Sequence, residues 1–328
     1  MKETLGALLL KLLSAFLLTV VLWAISHFIF GIGFIERWLG VVYLLIYFMI
    51  ARLSKEDIQE QKEDEKYRDW PISGPIGKFG ENGLMIAFYG TSLLSLLNPF
   101  QLFQMLKQGI GNLKLSSDKS QLIDDANDYH SETDYILPFE KNIEWLVYNG
   151  GINKGNSHSW DIITQRFAYD FVIANDAFGR HENKGTKVKD YYCYNQNILA
   201  VADGTVVKVV NNIGTAPFVG KGVLDVFAKS FIGNHVVIKH KDNEYSFYAH
   251  LIKGSINMQK GEGVSQGEFL GKCGHSGYSS EPHLHFHLQD KPDFFFAKGL
   301  PIRFSHLKIN GKQSNQSYIS ATDRVESV

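Results

Sequence analysis

Three histidines at alternating positions, His283, His285 and His287, sit among apolar residues in the stretch SSEPHLHFHLQD (279–290). Side chains on a β-strand alternate faces, so this spacing predicts three imidazoles on one side of a strand, successive ones roughly 7 Å apart. Two imidazoles at that separation suit one catalytic centre, one as a metal ligand and the other beside it. An H-x-H pattern alone equally fits a solvated strand face, so the decision rests on further donors. His250 closes the apolar run YSFYAHL (245–251), and Asp170 is embedded among large apolar residues in QRFAYDF (165–171). A carboxylate buried in such surroundings needs a cation or several hydrogen-bond donors. The plainer reading is a turn or edge carboxylate bonded to backbone amides. Zinc in catalytic sites takes three protein ligands from His, Asp, Glu or Cys and keeps a further position for water. One aspartate and two histidines meet that requirement.

The rest of the composition narrows the classes. Basic and acidic residues are balanced, 33 against 34, so a nucleic-acid partner is not expected. The two cysteines, Cys193 and Cys273, are far apart in sequence and form no C-x-x-C, which argues against a disulfide framework or a thiolate zinc site. A small buried thiol is the reading of Cys273. The 328 residues suffice for two or three domains. Nothing in the sequence sets the oligomeric state.

Apolar residues are concentrated near the N-terminus. Residues 12–30 are long enough, at 1.5 Å per residue, to cross a hydrocarbon layer of about 30 Å. A second run near 34–51 is adequate if its flanks enter the interface. A third, 84–103, is interrupted by Gly90 and Asn98-Pro99, with a buried or interfacial helix as the alternative. The first run reads as an uncleaved anchor. The segment 52–81 is rich in Lys and Arg, so the positive-inside rule predicts three spans with everything after about residue 104 outside the membrane. The expected organisation is a membrane region over 1–111, a polar linker over 112–134, a β-rich domain over 135–311 and a polar, frayed tail over 312–328. Within the β-rich part, strands are predicted over 143–148, 167–173, 198–210, 235–239, 245–250, 269–274 and 283–288. Short strands punctuated by Gly, Asn and Asp, without a long amphipathic helix, predict an all-β antiparallel sandwich or open barrel. An α-helical transmembrane region of two to three helices would precede it.

These residues fall in an ordered series that resembles the lysostaphin-type, LytM-like zinc endopeptidases of the bacterial cell wall. ILAVADGTVV (198–207) is similar to the family's A-x-x-D/A-G-x-V turn, and GNHVVIKH (233–240) to its central strand. YAHL (248–251) matches Y-x-H-L, the glycines of 263–271 match V-x-x-G-x-x-x-G, GHSG (274–277) stands where G-N-S-G is usual, and PHLHF (282–286) matches P-H-L-H-F. The resemblance covers about residues 137–304. It implies a zinc-dependent peptide hydrolase acting on peptidoglycan stem or cross-bridge peptides. It further implies Asp170 and His285 as zinc ligands and His250 and His283 as catalytic residues. A multi-pass protein of the cell membrane, with this domain on the extracytoplasmic side, is the localisation that follows.

One departure stands out. The family's first zinc ligand is a histidine four residues before the aspartate, and that position holds Arg166, which has no lone pair for a metal. The upstream candidate is His158 in NSHS (156–159). The N-x-H followed by Q-R-F-A-x-D found here resembles a variant carried by some family members. His181 is a weaker substitute. His287 could give a hydrogen bond from outside the ligand set, though a solvated or groove-lining place is the plainer reading; His275 and Cys273 could line the groove, and His235 has no assigned role. Two other functions fit parts of the pattern. A non-hydrolytic relative that binds wall peptides or activates another hydrolase would account for Arg166. A lipoyl-type carrier fold shares the glycine and valine turns, but no lysine sits at the hairpin tip it needs.

Overall fold

The computed structural model describes residues 70–117, 122–123, 125–157 and 159–328, with isolated positions before them (Ala15, Phe16, Thr19, Val20, Trp23 and Tyr43). Among the described residues from 70 onward, two α-helices, α1 (Gly80–Ser95) and α2 (Pro99–Ser116), precede thirteen strands. The strands are β1 (Trp145–Asn149), β2 (Tyr169–Val172), β3 (Asn197–Leu199), β4 (Gly204–Val210), β5 (Asn234–Lys239), β6 (Tyr245–Leu251), β7 (Gly263–Val264), β8 (Phe269–Lys272), β9 (Leu284–Gln289), β10 (Gly299–Leu300), β11 (Phe304–Ile309), β12 (Lys312–Ser317) and β13 (Arg324–Ser327). Eleven form one antiparallel sheet in the order β12-β11-β13-β1-β2-β9-β6-β5-β4-β7, with β10 paired to β9, and β3 and β8 form a separate pair.

The centre of this sheet is buried on both faces. Every residue of β2, β6 and β9 is buried. Period-two alternation sorts them: Tyr169, Phe171, Val236, Ile238, Tyr248, Leu284, Phe286 and Leu288 enter the main core with Trp145 and Phe304. On the opposite face, Val237, Phe247 and Ala249 pack with Ile232, Phe294 and Phe295 in a smaller cluster. Asp170, His285 and His287 lie on the face away from the main core. The chemistry therefore sits on a rigid floor rather than on loops.

The expected transmembrane region is overturned. Among the described residues no helix is long and apolar enough to cross a membrane. The run at 84–103 is not one helix but parts of α1 and α2, because Pro99 holds Asn98 extended (φ −87°, ψ 112°) and the Asn98 side chain caps the Phe100 amide. The runs near 12–30 and 34–51 lie outside the described residues, apart from the isolated positions named above. In α2 it is the polar stripe that docks. Gln101 donates to the Asp225 and Ala228 carbonyls (2.7 and 3.0 Å), Gln104 to that of Lys229 (2.9 Å) and Asn112 to that of Asp161 (3.0 Å). Gly111 abuts the Phe295 carbonyl so closely that any side chain would collide with it. Phe100, Phe103, Leu106, Ile110 and Leu113 are exposed.

The stretch expected to be a frayed polar tail is instead sheet. β12 pairs with β11, and β13 lies between β11 and β1, with Trp145 opposite Val325. Much of the stretch expected to be a linker is likewise structured. α2 extends to Ser116, and the hydroxyls of Tyr129, Ser131 and Thr133 reach the Glu244 carboxylate at 2.5–2.9 Å.

Candidate active site

β2, β9 and β6 are neighbours, and the register sets Asp170 directly across from His285, which in turn faces Ala249. The Asp170 Oδ1 atom is 3.0 Å from His285 Nδ1 and 3.7 Å from His283 Nε2. Its other oxygen, Oδ2, accepts from the Asn149 amide at 3.1 Å. Asn149 reaches it because β1 bulges between Val147 and Asn149. All of these groups are buried or nearly so, Asp170 at 7% and His285 at 6% exposure.

His250 arrives by a local break in the strand. Strict alternation after Ala249 would send its side chain into the main core. Its φ of 62°, a left-handed conformation uncommon for a residue with a β-carbon, turns it to the site while Leu251 returns to the core. Such conformations cost of order 1–3 kcal/mol and cluster at functional sites. The His250 ring lies 4.7 Å from that of His283 and 5.9 Å from that of His285. The Nδ1–H of His250 donates to the Ser276 carbonyl (2.8 Å) and that of His283 to the Glu281 carbonyl (2.8 Å). Nε2 is thus the nitrogen that each ring leaves for the cluster. Burial, followed by the two neighbouring imidazoles, pushes the pKa of His250 well below the ordinary histidine value. Gly233 lets the 274–281 loop approach: it has φ 72°, and a side chain there would strike the Ser276 carbonyl.

Behind His285 lies a chain of hydrogen bonds. Its Nε2 is 3.2 Å from His287 Nδ1, and His287 Nε2 is 2.7 Å from Gln289 Oε1. His287 is fully buried, stacked on Phe247 with ring centroids 4.9 Å apart, and its pKa is pushed down to about 3 by burial and then by His285. His287 is therefore neither solvated nor groove-lining.

The structure brings together Asp170, His250, His283 and His285. His158 lies outside the described residues. Among the described residues no group of three or more His, Cys, Asp or Glu side chains is arranged to hold a metal ion. A pair is arranged so. Zinc bonds of about 2.0–2.1 Å in tetrahedral geometry put neighbouring donor atoms a little over 3 Å apart, and Asp170 Oδ1 and His285 Nδ1 are at 3.0 Å. Arg166 turns away: its guanidinium lies over the Trp160 ring at 5.2 Å and donates to the Trp160 and Ile123 carbonyls. His181 is also elsewhere, accepting from the Gly74 amide (3.0 Å).

The site opens onto a cleft lined by Tyr148, Asn149, Asp170, Arg180, Gly220, Ser280 and Glu281, with Trp70 to Ile76 as one wall. Trp70 packs on Tyr148 (4.9 Å), and the Ile76 amide donates to the Gly220 carbonyl (3.2 Å). Arg180 and Glu281 form a buried ion pair at 2.6 Å, and the guanidinium lies over the Tyr148 ring at 4.6 Å. Sequence reasoning missed Asn149, Gln289 and this ion pair. Only Gln289 carried a signal, since it continues the same-face spacing of His283, His285 and His287.

A carboxylate and three imidazoles are thus grouped on the floor of an antiparallel sheet, beside an open cleft. Residues 181–295 match the model of Peptidase family M23. The match contains His250, His283 and His285, and Asp170 precedes it. Similar proteins include the cell division protein DipM of Caulobacter vibrioides, 34% identical over 95 residues (29% of this chain, 13% of that protein). The peptidoglycan DD-endopeptidase ShyA of Vibrio cholerae is 41% identical over 58 residues (18% of this chain, 13% of that protein). The chain thus spans only a small part of these relatives. Among solved structures, a zinc containing peptidase from Vibrio cholerae aligns at 18% identity with a TM-score of 0.28, covering 53% of this chain and 43% of that one.

Proposed function

We propose that this chain is a zinc-dependent endopeptidase that cleaves peptide bonds in peptidoglycan stem or cross-bridge peptides, with its β-rich domain outside the cytoplasmic membrane. The observation that carries the reading is the 3.0 Å approach of Asp170 Oδ1 to His285 Nδ1, flanked by two imidazoles that each leave Nε2 for the cluster. The peptidase M23 match and the peptidoglycan endopeptidase among the relatives support the substrate class. Asp170 and His285 would hold the metal, with His158 as the third ligand. Zinc held there supplies Lewis acidity and lowers the pKa of a water toward about 7.

The chain's own residues do the rest. The cleft beside Asp170 and Glu281 orients an extended peptide with its scissile carbonyl over the cluster. Either His283 or His250 takes the proton of the attacking water at Nε2, since Nδ1 of each is tied to a backbone carbonyl. As an imidazolium that ring donates Nε2–H to the developing oxyanion and passes the proton to the departing amine as the C–N bond breaks. Burial of His250 keeps its ring neutral, and therefore an acceptor, before reaction.

The test is muropeptide cleavage by the full chain, with and without a zinc chelator. Activity lost on chelation and restored by zinc is expected. Cleavage that survives chelation or His285→Ala contradicts the proposal, and peptide binding without cleavage replaces it with the non-hydrolytic reading. A reporter fused after residue 110 and found in the cytosol would remove the wall substrate from reach.

A further inference from the structure

The polarity of the hydrogen-bond chain behind His285 can be assigned from its far end. The Lys291 carbonyl can only accept, so the Gln289 atom 2.6 Å from it is the amide nitrogen. Gln289 Oε1 then faces His287 Nε2 at 2.7 Å and can only accept, so His287 carries its proton on Nε2. His287 is completely buried between the Phe247 and Phe294 rings, surroundings that keep the imidazole neutral. A neutral ring protonated at Nε2 has a bare Nδ1, which must accept from His285 Nε2 across 3.2 Å. His285 Nε2 is thereby the donor in that contact, and Nδ1 faces the Asp170 carboxylate 3.0 Å away. With the ring proton committed to Nε2, Nδ1 and the carboxylate are both acceptors, and a cation between them satisfies both.

We infer that Gln289 and His287 form a relay that fixes the tautomer of His285, making them positioning residues that present its Nδ1 as a metal donor. The inference rests on the zinc-site reading above. Outer partners of metal-bound histidines commonly perform this task, and their loss costs about 10–100-fold in metal affinity. Without the Gln289 acceptor, His287 can move its proton to Nδ1 and donate to His285 Nε2. That would put the His285 proton on Nδ1, where the metal must bind.

Two measurements on the full chain test this. Imidazole 15N–1H correlation spectra of the zinc-free protein report the His285 tautomer directly: Nε2–H is expected in the wild type and a shift toward Nδ1–H in Gln289→Leu. A wild-type protein with His285 protonated on Nδ1 overturns the relay, whether or not zinc binds. Titration with zinc alone against a chelating dye should then show affinity reduced about 10–100-fold in Gln289→Leu and His287→Leu. His287→Asn, whose carbonyl oxygen can replace Nδ1 as acceptor, should recover most of it. Unchanged affinity in both leucine variants, with thermal unfolding confirming that they are folded, overturns the relay. A wild type that binds no zinc overturns the metalloenzyme proposal instead, while the tautomer spectrum still decides the relay.

Discussion

Two carboxylates line the same cleft and are satisfied in opposite ways. Glu281 is locked to the Arg180 guanidinium at 2.6 Å, with side-chain exposures of 11% and 4%. Asp170 faces the imidazoles of His283 and His285 and the amide of Asn149. Arginine is a permanent cation and holds Glu281 in one place. An imidazole is a donor or an acceptor according to its tautomer, so the Asp170 side of the cleft has a charge balance that a metal ion can complete. The contrast separates a structural ion pair from a candidate binding site, although both are acids in the same cleft.

The contrast can be broken most severely at Asp170 and His285. Asp170→Ala and His285→Ala are expected to abolish zinc uptake and peptide cleavage together, read by elemental analysis and muropeptide assay. His283→Ala and His250→Ala should retain zinc and lose about 10²–10⁴-fold in kcat, the usual worth of a general base. Loss of zinc in those variants would move them into the ligand set. On the structural side, Glu281→Gln leaves a buried guanidinium uncompensated and should cost about 3–5 kcal/mol in chemical unfolding. Asp170→Asn, measured in zinc-free protein, should cost about 1 kcal/mol or less, because its neighbours are amide and imidazole. Equal stability losses would erase the distinction drawn here.

Away from the cleft, a further effect is expected in pH dependence. Burial holds the folded-state pKa of His235 and His275 down to about 4, well below the ordinary 6.5. In the unfolded chain these rings bind protons at higher pH. Their contribution is therefore complete above about pH 6.5 and is lost as pH falls toward 4, at up to roughly 3 kcal/mol each. A urea midpoint that stayed level from pH 7 to 5 would contradict this.

Much of the site could be read before the fold was known, because period-two patterning is local. HLHFHLQ declares its faces, and an acid inside FAYDF stands out against its neighbours. His250 stood out as a candidate donor, but its role followed only from the family resemblance, since its left-handed backbone breaks the alternation that would otherwise misplace it. Asn149 reaches Asp170 through a bulge, and Arg180 meets Glu281 across a hundred residues, so neither contact has a local signature. The helices failed for a related reason. Hydropathy sums α1 and α2 into one apolar run but does not register that the amides of Gln101, Gln104 and Asn112 face the protein. KQSNQS, polar on both faces, reads as tail until β11 pairs with it.

The most direct test of the central claim is anomalous diffraction at the zinc edge from crystals of the full chain grown with zinc. One peak about 2.0–2.2 Å from both Asp170 Oδ1 and His285 Nδ1, with the His158 ring completing the set, is the predicted result. A peak elsewhere, with no metal between those two atoms, would contradict it.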